Sequence, residues 1–306
     1  MPWPELSGLD APRLFPWGPE VGREAERRSQ KFHRTWPHMI TGNFSPRFVP
    51  FFLALGLAGM LLAGCATAPY TGRKQVLMVS PEQEQALGYQ AFREIRGSSR
   101  LAPDPALQAR VQKVGERIAQ AANKPEYKWE FVVFQDDREA NAFCLPGGKV
   151  GIYTGLFKYI KNDNDLATVI SHEVAHALAR HASERLSQGR LAQAGGLALG
   201  VGLAALGASP TTSRVALQGY SLGTKVGVLL PYSRVQESEA DRIGLILMAK
   251  AGYNPDQAVH FWERFASAKK DKGQLPQFLS THPSDATRIQ NMRTFLPEAR
   301  RYYKSR

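Results

Sequence analysis

Apolar and polar positions along this chain recur in two periods, and the periods mark out its elements. From Leu166, the residues Val169, Ile170, Val174, Ala177 and Leu178 fall at helical spacing. Asp163, Asn164 and Asp165 supply N-cap residues ahead of them, and the pattern predicts one helix running on to Gly189. Ser80-Pro81-Glu82-Gln83 has the form of a capping box with proline at the first helical position, which predicts a helix to about Arg96. Asp104-Pro105 starts another, with Leu107, Val111, Val114 and Ile118 on one face. Ser233 to Lys250 reads as a capped amphipathic helix. A period of two appears from Trp129 to Phe134 and again from Lys149 to Thr154, predicting two strands. Asn141 to Gly148 between them reads as turn-rich. The class this implies is α+β, mostly helical, with a small β-sheet beside the helix that begins near Asp163.

The first part of the chain has another character. Residues 1–38 are rich in Pro, Arg and Trp, show no periodicity and support no assignment. Met39 to Arg47 forms a basic flank, Phe48 to Ala63 an apolar run, and Leu62-Ala63-Gly64-Cys65 follows. That order describes a secretory signal, and the run is short for a spanning helix. The Leu-Ala-Gly-Cys ending resembles a bacterial lipobox, which implies lipidation of Cys65 and a mature chain beginning there. Signals normally begin a chain, so Met39 is the expected start and residues 1–38 an upstream misreading. Ala66 to Lys74 reads as a short tether.

Charge adds little. The formal net charge is +12, and from Cys65 onward 32 basic residues face 22 acidic ones, a net +10. Such a balance suits an anionic membrane surface or nucleic acid, but no nucleic-acid motif is present, so no nucleic-acid partner is expected. With Cys65 lipidated, Cys144 is the one thiol left, which excludes an internal disulfide; Cys144 itself is expected as a small buried hydrophobe. Leu191 to Leu230 is Gly- and Ala-rich. It suits a helical hairpin beside a cleft, a mobile lid or a membrane-contacting segment, and the pattern leaves these open.

The chemistry is concentrated at His172-Glu173-Val174-Ala175-His176. Positions four apart share a helix face, so His172 and His176 can turn two imidazoles toward one metal ion, with Glu173 beside them to take a proton from water. That is the signature of a zinc peptidase with one Zn²⁺ per chain. A third ligand is then required. His181 fails the extended histidine pattern, because position 182 is Ala, and it is expected to point away. Glu184 lies eight residues beyond His176 on the same predicted helix, too far along the axis. No Asp or Glu occurs between Glu184 and Glu237. Glu237 and Asp241 share a helix face, whereas Glu239 points elsewhere. One of the pair can bind zinc while the other orients a ligand imidazole; zinc is assigned to Glu237 and the orienting role to Asp241.

H-E-x-x-H followed by Glu-x-x-Ala-Asp resembles the HtpX and CAAX-prenyl-protease family of zinc metallopeptidases. The resemblance runs from about Tyr70 to Leu296 and includes Thr71-Gly72-Arg73, Asn141-Ala142-Phe143, Pro146-Gly147-Gly148 and Pro231-Tyr232-Ser233-Arg234. The lipobox places the chain nearer the periplasmic lipoprotein branch, similar to BepA and LoiP, without the C-terminal helical repeats of BepA-like relatives. It implies two further roles: His282, in Thr281-His282-Pro283, as a removable fourth ligand, and Arg288 as a catalytic group stabilising an oxyanion.

The expected organisation is therefore an extension 1–38, a signal peptide 39–64, a lipidated tether 65–79 and a zinc metallopeptidase domain 80–306. An edge strand beside a metal helix can hold substrate as an added strand. Val150, Gly151, Ile152, Tyr153 and Thr154, with Asn141 and Ala142, are the expected groove. The expected activity is zinc-dependent endopeptidase action on unfolded or extended envelope proteins. The expected address is the periplasmic face of the outer membrane, with the inner membrane as the alternative. The competing reading is a lipoprotein chaperone whose zinc site is closed or structural.

Overall fold

The structure, a computed structural model, describes residues 65–271, 277–283 and 286–304. The signal and extension expected in residues 1–64 lie outside the described residues.

The chain enters through a hairpin of two short strands, β1 (Cys65–Thr67) and β2 (Lys74–Val76), paired antiparallel with Cys65 opposite Val76. The stretch expected as a loose tether is thus built into the domain. It is held there by Arg73, whose guanidinium forks onto Glu184 at 2.7 and 2.8 Å.

Two helices follow as the caps dictate. In α1 (Pro81–Ser98), Ser80 and Gln83 complete the reciprocal capping box. In α2 (Pro105–Ala122), Asp104 accepts from Ala106 and Leu107, and Val111, Val114 and Ile118 are fully buried.

The sheet has three strands, not two: β3 (Glu130–Phe134), β4 (Ala142–Leu145) and β5 (Lys149–Tyr153), in the order β3-β5-β4. β5 is parallel to β3 and antiparallel to β4. The segment expected to be turn-rich holds β4. The turn itself is confined to its end, where Gly147 and Gly148 take φ of 84° and 83°. The far side of β3 is covered, since the Gln108 side chain bonds the Phe131 carbonyl and the Val133 N–H, and Ala102 donates to the Val133 carbonyl. The unpaired edge of the sheet is therefore β4, although its side chains are buried or half-buried.

After a 3₁₀ turn (Thr154–Lys158) come α3 (Asp163–Leu178) and α4 (His181–Ala205). One helix to Gly189 was expected. The chain breaks earlier because Arg180 adopts a left-handed φ of 57°, held by its bonds to Glu84 and the Val79 carbonyl. The break carries no glycine signal, and it puts Glu184 on the second helix. The N-cap is Asn162, one residue before the expected cluster.

Then follow α5 (Pro210–Thr224), a π turn (Lys225–Leu229) and α6 (Leu230–Lys250), which starts earlier than Ser233 because the π turn runs straight into it. The last elements are α7 (Asp256–Asp271), α8 (Gln277–Thr281) and α9 (Ala286–Arg300). Trp262, Phe261, Phe265 and Phe278 form an aromatic core beneath α3. The result is the expected α+β class, mostly helical, with the small sheet packed beside the central helix. No described helix is long and apolar enough to cross a membrane.

Candidate active site

Every residue of α3 from Asp165 to Leu178 is buried, so its polar side chains need partners from neighbouring elements. α6 supplies carboxylates to both histidines. It crosses α3 at Gly244, where a Cβ would stand 3.3 Å from both the Cα and the N of His172. That close approach sets Glu237 and Asp241, one turn apart, against the two imidazoles. His172 Nε2 and His176 Nε2 lie 3.1 Å apart, and each is 3.4 Å from a Glu237 carboxylate oxygen. The turn after α8 adds His282, whose Nδ1 is 3.2 Å from His172 Nε2 and 3.0 Å from Glu237 Oε2. His172, His176, Glu237 and His282 thus offer four donor atoms, all within 4.8 Å of one another.

This donor set fits a divalent metal such as zinc. Tetrahedral bonds of about 2.0–2.1 Å place ligand atoms about 3.3 Å apart, close to the 3.0 to 3.4 Å separations of the His172–His176, His172–His282 and His–Glu237 pairs. The proton positions agree. Glu239 Oε2 is 2.9 Å from His181 Nε2, and His181 Nδ1 is 2.8 Å from His176 Nδ1. A carboxylate can only accept, so His181 carries its proton on Nε2. His176 then donates from Nδ1, which leaves its Nε2 lone pair bare. Asp241 Oδ1, 3.0 Å from His172 Nδ1, fixes that ring the same way. Two bare imidazole lone pairs at contact distance repel each other unless a cation lies between them.

Electrostatics separate the carboxylates. Burial pushes the Glu173 carboxyl up to about 7, with the Glu237 charge adding to the shift and His282 opposing it. Its Oε1 lies 3.2 Å from His282 Nε2 without an aligned hydrogen bond. Glu237 is equally buried, yet His282 and His176 hold it well below the usual carboxylate range. Burial also opposes ionisation of Asp241, but Arg288 wins and holds it low. Burial lowers the His176 and His181 imidazoles; at His172 burial acts the same way, but the facing carboxylates of Asp241 and Glu237 outweigh it and the imidazole is raised.

Of the residues expected from sequence, the structure brings together His172, Glu173, His176, Glu237, Asp241 and His282. Three expectations need restating. Arg288 lies against the donor group itself, 3.3 Å from Glu237 Oε2 and 3.4 Å from His172 Nε2, and no contact in the structure tests its expected role toward an oxyanion. Its Nε and one terminal nitrogen clasp Asp241 at 2.6 and 2.8 Å, and the other donates to the His282 and Pro283 carbonyls at 3.1 Å. Its face lies over Trp262 at 4.0 Å. Arg288 is a clamp on Asp241 and on the turn that carries His282. Second, Val150, Gly151, Ile152 and Tyr153 cannot hold an added strand, because β5 is central and paired on both sides; Thr154 is in the 3₁₀ turn, where its hydroxyl accepts from Asp136 N. Asn141 and Ala142 remain, at the start of edge strand β4. Third, His181 does not point away. The break at Arg180 turns it back onto His176, although it stays outside the group of four donors.

Sequence reasoning missed the layer behind His181. Glu239 accepts from His181, from the Thr71 hydroxyl and from Arg73 Nε at 2.8 Å, and Arg73 also forks onto Glu184, which accepts from Gln236 at 2.7 Å. These bonds hold the Glu239 carboxyl down at about 2 against the effect of burial. The Thr71-Gly72-Arg73 triplet was the available signal.

Comparison with known proteins agrees with this geometry. The model of peptidase family M48 matches residues 105–296. The mitochondrial metalloendopeptidase OMA1 of Saccharomyces cerevisiae is 32% identical over 270 residues, covering 80% of this chain and 75% of the yeast protein. The Schizosaccharomyces pombe protein of the same name is 35% identical over 234 residues, covering 76% of this chain and 66% of its own length. The beta-barrel assembly-enhancing protease of Escherichia coli K12 is 33% identical over 229 residues, covering 74% of this chain but 46% of that protein.

Proposed function

The chain belongs to peptidase family M48, and on that premise we propose that it is a zinc-dependent endopeptidase acting on extended or misfolded proteins of a bacterial envelope. That it is a metallopeptidase follows from the family and from its candidate metal site. The choice of zinc, the substrates and the address are the proposal. The observation that carries it is Glu173, a buried carboxyl placed beside four convergent donor atoms, with its Oε1 3.2 Å from His282 Nε2. A structural metal site has no use for such a group.

Zinc held by His172, His176 and Glu237 supplies Lewis acidity, which acidifies water and polarises a scissile carbonyl. Glu173 would take the water proton on its carboxylate and pass it to the leaving amine nitrogen, a task suited to a carboxylate buried next to the donor group. Asp241, clasped by Arg288, keeps His172 oriented, and His181 does the same for His176.

Substrate is read along β4. Tyr153 N donates to the Asn141 carbonyl, so by antiparallel alternation Asn141, Phe143 and Leu145 bond to β5, while the main chain of Ala142 and Cys144 faces outward. An extended peptide can pair with that edge once it displaces the Asn141 side-chain oxygen, which accepts from Ala142 N at 3.0 Å, and such pairing selects for unfolded backbone more than for side chains.

His282 closes the site. Its Nδ1 stands in the fourth donor position, its Nε2 touches Glu173, and Phe278 on the same segment bonds the Ala140 carbonyl at the head of the edge strand. This observation also favours a second reading, a binding protein whose site stays shut.

The address rests on the lipobox and Cys65, since relatives include both bacterial and mitochondrial proteins. A lipid on Cys65 attaches the domain to the periplasmic face of the outer membrane, or of the inner one.

Cleavage of an unfolded protein by the wild type, Glu173→Gln and His282→Ala decides between the readings. Glu173→Gln is expected to lose at least about 10²–10³ of the rate while retaining its zinc. His282→Ala is expected to cleave faster than the wild type. Zinc bound with no cleavage by either the wild type or His282→Ala, across several unfolded substrates, moves the assignment to the binding protein.

A further inference from the structure

Residues 188–235 contain no buried residue. Nothing else of comparable length among the described residues is so bare. The stretch runs from the second turn of α4 through α5 and the π turn into the start of α6, and it forms a helical arm with a defined shape. Tyr220 bridges its two helices, donating to the Ala192 carbonyl at 2.9 Å and lying against Gly195, where a Cβ would collide with the Tyr220 hydroxyl.

The arm is not polar. Leu197 is 66% exposed, Val201 71%, Leu206 85%, Val215 63% and Leu222 64%. Apolar and small residues occur around the whole circumference of α4 beyond its first turns, without a polar stripe. A helix of that kind is normally covered.

Charge identifies the cover. Residues 185–236 contain no Asp or Glu, while Arg190, Arg214, Lys225 and Arg234 are all exposed on the arm. Apolar side chains interspersed with cations alone suit an anionic bilayer surface. They are a poor match for a second copy of the same arm, which would set like charges together.

Placement agrees. The chain enters the domain at Cys65, directly after the apolar run 48–63 in sequence. The hairpin that follows is fastened to the root of the arm, where Arg73 binds Glu184 and Met78 N donates to the Ser187 hydroxyl at 2.8 Å. The root of the arm and the point of chain entry are side by side, whether or not Cys65 carries a lipid.

We propose that the arm formed by residues 188–235 is a docking surface for anionic phospholipid, laying the peptidase domain against the membrane. The full chain is reconstituted into vesicles of phosphatidylcholine alone, or with phosphatidylglycerol in equal parts, each doped with a diazirine-bearing phospholipid. Adducts are mapped by peptide after photolysis, and the buried peptide carrying Val169 and Ile170 serves as the internal negative control. Adducts on the peptides carrying Leu197, Val201, Leu206, Val215 and Leu222, stronger with phosphatidylglycerol, support the proposal. The double variant Arg214→Glu/Lys225→Glu should lose roughly ten-fold or more of them. Val201→Asp/Leu206→Asp should lose them too, with cleavage of a soluble peptide unchanged, which shows that the fold persists. Adducts on the arm no stronger than those on the buried Val169 peptide overturn the proposal. So does equal labelling of the arm in phosphatidylcholine alone, or cross-linking of arm to arm between copies without lipid adducts.

Discussion

The two imidazoles that face the metal position rest on unlike supports. His172 leans directly on a carboxylate, Asp241, which Arg288 clasps from α9. His176 leans on another imidazole, His181, then on Glu239, then on Arg73 from the entry hairpin. Both supports end in a carboxylate paired with an arginine, and both leave Nε2 of the ligand ring bare. The difference lies in reach. The first is assembled from α6 and α9 and is sealed, with Arg288 5% exposed. The second inserts a neutral ring and so extends to the segment that follows Cys65, with the Arg73 side chain 19% exposed. The way the chain enters the domain is thereby coupled to the orientation of one metal ligand.

The sealed support should be the more costly to break. Asp241→Asn removes the carboxylate that Arg288 clasps at 2.6 and 2.8 Å and leaves His172 without its orienting charge. About 3–5 kcal/mol of stability should be lost, and zinc affinity should fall roughly 10–100-fold. Thermal melts with and without zinc, alongside competition with a chelating dye, separate the two effects. A lowered melt with unchanged zinc affinity means that Asp241 only holds the fold.

Arg73→Ala should cost less. It leaves Glu184 and Glu239 without their shared cation, but water can reach the hairpin, so about 1–3 kcal/mol is expected, with zinc weakened by roughly ten-fold or less. Arg73→Lys should restore stability in part, but it cannot fork onto Glu184 while reaching Glu239. The visible spectrum of the cobalt-substituted protein provides the sharper reading. A changed spectrum in Arg73→Ala, recovered in part by Arg73→Lys, shows that the hairpin sets the His176 geometry. An unchanged spectrum with only a lowered melt reduces the second support to ordinary packing.

How much of this was legible in the sequence follows the same division. His172, His176, Glu237 and Asp241 could be paired because each couple sits four residues apart on one helix, and helical geometry then fixes the shared face. The capping signals at Ser80 and Asp104 gave α1 and α2 for the same local reason. The second support depends on contacts between residues 58 and 166 positions apart, which no local period encodes. It also depends on the helix break at Arg180, a left-handed residue that carries no glycine and is held by distant partners at Glu84 and Val79. β4 was hidden because Asn141 and Pro146-Gly147-Gly148 crowd a four-residue strand with turn signals. Missing it turned a central strand into the apparent edge and moved the groove onto β5.

Acid offers the gentlest test of the second support. Glu239 carries a folded pKa of about 2 against an ordinary value of 4.5, because His181, Arg73 and Thr71 all bond its ionised form. A depressed carboxyl contributes stability that is fully present above the ordinary value and is lost as pH falls through the folded one. In the metal-free protein, wild type should therefore exceed Glu239→Gln by about 1 kcal/mol near neutrality, allowing for water at the hairpin edge. The gap should narrow from about pH 4.5 downward. Denaturant melts of both proteins at a series of pH values measure it directly. If the gap instead stays constant into acid, the Glu239 charge does nothing for the fold, and the chain from Arg73 to His176 acts through shape alone.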